Sequence, residues 1–305
     1  MVQTFTHKDL TWVDIESPTQ DEVRDLMRTY NLDPLVADEL LLPTLKPRVD
    51  VYDTYIYLIL HFPAFRHTHN GSTDQEVDFI IGKNFIITTR YDTVDPLHKF
   101  SKVFEVNSVL DKSDIGDHAG YLFFYMIRKL YKALEHELEY INDALELIEE
   151  EIFEEGNSKG MVFALSNVGR DLLNLKQALN PHREILESFD EAARGFFGDS
   201  YRYHSRSVFG EYYRIRNQID IHASTLAELR QTNDSLLYSR QNEVMKILTI
   251  MAFTTFPLTL ISSIFGMNAT TLPLVGTKGD FWMIIGIMVT LTLVFFIFFK
   301  RNKWL

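Results

Sequence analysis

Two stretches of the chain, residues 247–265 and 281–299, contain no ionisable side chain, and each is 19 residues long. A helix of that length crosses a hydrocarbon core of about 30 Å, so two transmembrane helices are predicted. Upstream the hydrophobic pattern is amphipathic. Leu130, Leu134, Leu138, Ile141, Leu145, Ile148 and Ile152 are spaced by 4, 4, 3, 4, 3 and 4 residues, with glutamates between them. That is one apolar face at helical period, in a helix that begins near residue 118. Residues 156–160 read as a loop. A second helix is predicted from Val162 to about Leu179, ending at Asn180 and Pro181, and a third runs towards Gly195 and Gly198. Between residues 211 and 265 there is no glycine, and Pro257 is the only proline. A single helix of about 80 Å is expected there. That is too long for a compact domain and reads as a stalk that becomes the first membrane span.

Residues 1–110 alternate strand-like and helix-like patterns. Val51–Leu60 is rich in β-branched and aromatic residues and is predicted to be a strand. Glu76–Ile81 and Asn84–Arg90 form two more, joined near Gly82 and Lys83, with a turn expected at Asn70 and Gly71. The run from Ser17 to Glu22 has the character of a helix start.

The two spans differ in chemistry. The first carries hydroxyls at Thr249, Thr254, Thr255, Thr259, Ser262 and Ser263; the second has them only at Thr290 and Thr292 and is otherwise bulky and apolar. The second is suited to lipid on most faces, whereas the first calls for a polar or protein-filled side. Asn242, Met245, Leu248, Ala252, Phe256, Thr259 and Ser263 follow one stripe of the first helix, with spacings of 3, 3, 4, 4, 3 and 4. Two readings fit this stripe: ordinary helix–helix packing, or a pore with a hydrophobic constriction.

A mean hydropathy of -0.08 conceals these spans, because the rest of the chain is strongly polar. The net charge of -12 argues against a nucleic-acid partner and suits cations. Much of the acid lies between Glu135 and Glu155, as a solvated helix face or as a diffuse cation-attracting surface. The absence of cysteine excludes disulfides, thiolate metal sites and cysteine catalysis. No nucleophile–base or metal-ligand constellation marks an enzyme, and there is no Walker motif. His67 and His69 share one side of an extended segment, but beside Asn70 and Gly71 they read as a hairpin tip. Acids early in the first 30 residues, without an apolar core, predict no secretory signal. Arg240 and Lys246 precede the first span and Lys300, Arg301 and Lys303 follow the second. Both termini are therefore expected to be cytoplasmic in a multi-pass protein of the plasma (inner) membrane.

Directly after the first span stand Gly266, Met267 and Asn268. At this place the chain resembles the CorA family of magnesium transport proteins, whose signature is Gly-Met-Asn. Asn242–Thr249 resembles the family's entry into the membrane, Pro257, Leu258 and Thr259 its mid-span motif, and Lys300–Leu305 its basic tail ending in Trp-Leu. Pro47, Arg48 and Val49, with Tyr52 to Tyr55, and the residues around Gly82 to Phe85 are similar to its soluble domain.

The resemblance implies an α/β soluble domain, an α/β/α sandwich, followed by a long stalk helix and two transmembrane helices, in a homopentameric funnel set in a lipid bilayer. The expected divisions are a cytoplasmic domain over 1–200, a stalk over 201–246 and a membrane domain over 247–305. It implies a channel, not an enzyme, carrying hydrated magnesium down the membrane potential, with no cofactor beyond the transported ion. Gly266, Met267 and Asn268 would form the selective mouth, with Asn268 meeting the ion through its hydration shell. Asn242, Met245, Leu248, Ala252, Phe256, Thr259 and Ser263 would line the pore. The alternative is a related zinc or cobalt/nickel transporter, passive or proton-linked; a third is a membrane-anchored sensor without transport. Two departures stand out. Leu272, Pro273 and Leu274 occupy the place where the family commonly carries an acidic residue. Ser207 stands where a magnesium-sensing aspartate is expected, with Asp111 and Asp114 as candidate substitutes.

Overall fold

Alternation along the strands of the first half builds a sheet with two covered faces. The structure, a computed structural model, describes residues 2–44, 46–63, 75–91, 94–110, 116–154, 158–267, 276, 279–302 and 304. They belong to two units, Met1–Leu229 and Arg230–Leu305. The first holds β1 (Val2–His7), β2 (Leu10–Glu16), α1 (Gln20–Tyr30), α2 (Pro34–Glu39), β3 (Arg48–Val51), β4 (Tyr55–Phe62), β5 (Gln75–Gly82), β6 (Phe85–Arg90), α3 (Asp95–Leu110), α4 (Ala119–Phe153), α5 (Ser158–Leu179) and α6 (His182–Phe197). A single 3₁₀ turn, Asp199–Tyr201, leads into α7 (Arg202–Phe265), a helix of 64 residues that continues into the second unit; α8 (Asp280–Arg301) follows it there.

The sheet order is β1-β2-β6-β5-β4-β3, and only the β2–β6 pair is parallel. All eight residues of β5 are buried. On one face, Tyr55, Tyr57 and Ile59 of β4, Ile80 of β5 and Ile87 of β6 pack with Val23 and Leu26 of α1 and Val36 of α2. On the other, Trp12 meets Phe100 and Phe104 of α3, Phe79 meets Phe123 of α4, and Phe62 meets Tyr131 and His182. The period of two thus divides each strand between two helical layers, and the α/β/α arrangement follows.

Local signals account for the boundaries. Thr19 caps α1 in a reciprocal capping box with Glu22, the start expected at Ser17–Glu22. Gly82 closes the tight β5–β6 turn because a Cβ there would lie 2.3 Å from the Phe85 ring. The seven residues of the predicted α4 stripe are all buried.

Two expectations are corrected. Val51–Leu60 is not one strand: Val51 ends β3, Tyr52 donates its backbone N–H to the Tyr55 carbonyl at 2.9 Å, and β4 starts at Tyr55. Asp53 and Thr54 supply the turn that β propensity alone obscures. The predicted loop over 156–160 ends earlier, since α5 already starts at Ser158. The turn at Asn70 and Gly71 lies outside the described residues, as do His67, His69, Asp111 and Asp114.

Candidate functional site

The second unit contains the end of α7 and the whole of α8, both long and apolar enough to cross a membrane. Met251, Phe253, Phe256 and Leu260 on α7 are 58–72 % exposed, and Phe281, Trp282, Ile297 and Phe298 on α8 are 57–74 % exposed. Apolar surface this extensive is untenable in water and calls for lipid or further protein.

Within this unit each helix has one better-covered side. On α7 the half-buried positions include Ile250, Thr254, Pro257, Leu258, Ile261 and Phe265. On α8, Ile284, Met288, Leu291 and Phe295 are half-buried and Phe299 is buried. Both sets recur about once per helical turn, with Pro257 and Leu258 adjacent on α7. Met245, Leu248, Ala252, Phe256, Thr259 and Ser263 fall on the opposite side of α7 from its half-buried set, since residues two apart on an α-helix point to opposed faces. All of these but half-buried Ala252 are exposed, and so is Asn242 at the head of the stripe.

The hydroxyls of this span are oriented. Thr249, Thr254, Thr255 and Thr259 each donate to the carbonyl four residues earlier, at 2.7, 2.8, 2.6 and 2.9 Å. The proton is committed to the helix, so each side-chain oxygen offers only acceptor lone pairs outward. Pro257, inside the helix, brings no N–H for the Phe253 carbonyl. The helix ends at Phe265. The Gly266 N–H reaches the Ser262 carbonyl at 2.9 Å, and a Cβ on Gly266 would meet that oxygen at 3.0 Å. Met267 follows, 59 % exposed. Asn268 lies outside the described residues. Ser207 is half-buried on α7 in the first unit.

Sequence reasoning missed a polar group inside the first unit. Glu76 accepts from the Thr44 backbone N–H at 2.7 Å and the Thr44 hydroxyl at 3.2 Å, and His61 Nε2 lies 3.1 Å from it. Asp78 is 0 % exposed, and its Oδ2 lies 3.4 Å from the Tyr91 hydroxyl. Burial first, and the Glu76 charge second, push the Asp78 carboxyl well above its usual range. The signal was present: acids two apart in a strand share a face, and here they alternate with the apolar Val77 and Phe79. Among the described residues, no group of three histidine, aspartate or glutamate side chains is placed to hold a metal ion.

Comparison with known proteins assigns the family. The profile of the CorA-like Mg2+ transporter proteins matches residues 7–301. The Cobalt/magnesium transport protein CorA of Thermotoga maritima is 25 % identical over 299 residues, covering 97 % of this chain and 83 % of that protein. Among solved structures, the complete CorA magnesium transporter from Methanocaldococcus jannaschii superposes with a TM-score of 0.85 at 19 % identity, over 99 % of this chain and 93 % of that one. The ZntB cytoplasmic domain from Vibrio parahaemolyticus gives 0.62 at 15 % identity, over 77 % and 89 % of the two chains, and so shares the fold of the soluble part. The chain belongs to the CorA-like Mg2+ transporter family, whose members are transporters and channels rather than enzymes.

Proposed function

We propose that the protein is a passive channel for divalent cations, with hydrated magnesium as its cargo and the Asn242–Ser263 stripe of α7 as its pore lining. The observation that carries this reading is the place of the stripe, away from the half-buried face that includes Ile250, Thr254, Leu258, Ile261 and Phe265, with every stripe residue exposed except half-buried Ala252. Copies of the same helix around a common axis would cover it. By analogy with the family we take the number as five, with α7 inside and α8 outside, in the plasma (inner) membrane with both termini cytoplasmic. On this reading residues 1–200 form the cytoplasmic domain, 201–246 the stalk and 247–305 the membrane domain.

The chemistry fits a hydrated ion. Magnesium dehydrates reluctantly and keeps near-octahedral oxygen geometry. A ring of neutral Asn268 amides accepts hydrogen bonds from its water shell and binds weakly enough to release it. Further in, Ser263 and Thr259 present oxygens, and Leu248 and Met245 form an apolar neck that gates by dewetting. Two charges falling through 100 mV gain about 4.6 kcal/mol, so no coupled ion is required. Neither span carries an ionisable side chain that could relay protons. Ser207 adds no charge at the expected sensor position, which favours weak closure by internal magnesium.

The test is uptake of magnesium, cobalt, nickel and zinc into proteoliposomes, with and without a pH gradient. Potential-driven magnesium uptake indifferent to the gradient, and nearly abolished by Asn268→Ala in an assembled protein, is expected. Zinc uptake that follows the pH gradient supports the zinc-transporter alternative. No flux of any of these ions, or full magnesium flux in Asn268→Ala, overturns the proposed mechanism.

A further inference from the structure

We propose that the cleft between α4 and the N-terminal part of α7 binds a polyphosphate, an anion of two or more linked phosphates, with Arg128, Lys129 and Lys132 as its cationic contacts. The inference does not depend on the transport reading.

The sequence sets a basic window into an acidic chain. The net charge is -12, yet between Ala119 and Leu134 α4 carries no acid, and Arg128, Lys129 and Lys132 stand together there. With Tyr125 and Glu135 they follow one side of the helix, at spacings of 3, 1, 3 and 3. Across from them α7 brings Glu211 and Arg214, and these side chains line a cleft of about 310 Å³. Arg128, Lys129, Lys132 and Arg214 outnumber Glu135 and Glu211, so the lining carries an excess of two positive charges.

The carboxylates are already engaged. Glu211 accepts from Arg128 Nε at 3.1 Å and from Arg214 Nη2 at 2.6 Å, and the same Arg214 nitrogen lies 2.7 Å from Glu135. Arg128 is held in place by groups that leave its far end open. Its Nε goes to Glu211, and its guanidinium carbon lies 5.4 Å from the centroid of the Phe124 ring. Its terminal nitrogens make no hydrogen bond among the described residues, so the N–H fork is oriented before any ligand arrives. Lys129 and Lys132 are exposed and form no ion pair among the described residues, in a chain rich in carboxylates.

Spacing selects the class of anion. Residues 128 and 132 are four apart, about 6 Å along the helix axis. A single phosphate meets one end of that row, whereas a chain of linked phosphates meets both. Each N–H bond to a charged phosphate oxygen is stronger than its neutral counterpart, and the row supplies several at once. At the upstream end Tyr125 is half-buried in the cleft wall. It is an aromatic surface against which a nucleobase can stack. An inorganic and a nucleoside polyphosphate therefore share the same contacts at the phosphates and differ at Tyr125.

The experiment is calorimetric titration of the full chain in detergent with inorganic triphosphate and with ATP, in magnesium-free buffer so that neither ligand is complexed. Saturable binding that weakens as salt is raised is expected. Combining Lys129→Ala with Lys132→Ala is expected to weaken it at least about tenfold, because two charge-assisted hydrogen bonds are lost. Both lysines are exposed, so this variant is expected to fold. Lys99→Ala removes an exposed lysine of α3 and is expected to bind like the wild type. Arg128→Lys keeps the charge but loses the fork, and is expected to bind several-fold more weakly. Tighter binding of ATP than of triphosphate, with the difference removed by Tyr125→Ala, supports the site with a stacked base. Equal affinities support it with recognition in the phosphates alone. No saturable binding of either ligand, full affinity in the double lysine variant, or an equal loss in Lys99→Ala overturns the proposal.

Discussion

The Tyr131 hydroxyl lies 2.8 Å from Nδ1 of His182, while Nε2 of the same ring lies 2.8 Å from the His61 carbonyl. A carbonyl can only accept, so Nε2 carries a proton. Burial between α4 and β4 at 0 % exposure disfavours a charged ring, and in the neutral imidazole Nδ1 accepts from Tyr131.

That geometry sets an acid limit on the first unit. Burial lowers the His182 pKa from 6.5 to about 4, partly offset by the His61 carbonyl. The folded value is depressed, so the stability His182 contributes is complete above pH 6.5. It declines as pH falls through that window and levels off below about 4. The expected loss is about 3 kcal/mol. Urea unfolding of the detergent-solubilised protein at several pH values measures it. His182→Asn is expected to be less stable at neutral pH and to show a shallower acid slope. An acid slope equal to that of the wild type would show that another group is responsible.

A second buried polar chain holds the parallel β2–β6 pair. Trp12 Nε1 donates to the Thr88 hydroxyl at 2.9 Å, which donates to Asp14 Oδ1 at 2.6 Å, while Arg90 Nη2 reaches Asp14 Oδ2 at 3.0 Å. Removing one member of a buried pair leaves an uncompensated charge. Asp14→Ala is expected to lower the unfolding free energy by about 3 kcal/mol, near the low end because Arg90 keeps Glu16. Asp14→Asn, which retains an acceptor for Thr88, is expected to lose less. Equal losses in the two variants would assign the effect to packing.

In the proposed pore, Leu248 and Met245 line the apolar neck, and both are more than half exposed on the isolated helix. A hydrated dication crosses such a neck only after water fills it. Leu248→Asn is expected to raise basal current several-fold in planar bilayers at high internal magnesium, with assembly unchanged. Unchanged or lower current would remove Leu248 from the gate.

Most of this architecture was legible because it rests on long, periodic signals. The α4 stripe, the span from 247 to 265 and the glycine-free run that fills most of α7 repeat one rule many times over. The strand break at Asp53 depends on a single turn and is hidden by the β-branched residues and tyrosines on either side. The N-terminal hairpin β1–β2 and helix α3 escaped individual prediction, being short pieces whose placement is fixed by contacts such as Trp12 with Phe100 and Phe104. At the candidate site, Gly266 and Met267 were singled out by resemblance to the family signature, and their role remains part of the proposal. The opposition between the α7 stripe and the half-buried face became visible only with burial in hand. The Glu76–Asp78 pair was overlooked for a similar reason. Acids in a strand read as solvent-facing until both faces of the sheet prove to be covered.

Thr259 offers the sharpest test of the pore lining, because its hydrogen bond fixes what it can present. Its proton is given to the Thr255 carbonyl at 2.9 Å, so the oxygen faces the stripe as an acceptor. An acceptor suits the water shell of a cation, whose hydrogens point outward. Thr259→Val keeps the shape and removes the oxygen, whereas Thr259→Ser keeps the oxygen and removes a methyl group. If the stripe lines the path, valine costs about 1 kcal/mol of hydrogen bonding to the passing shell, or about a fivefold lower magnesium flux. Serine is then close to wild type. If the stripe is only a packing surface between helices, serine creates a small void and weakens assembly, while valine preserves it. Flux in proteoliposomes, read beside the size-exclusion profile of each variant, separates the two. A valine variant that assembles and conducts like the wild type would remove Thr259 from the ion path.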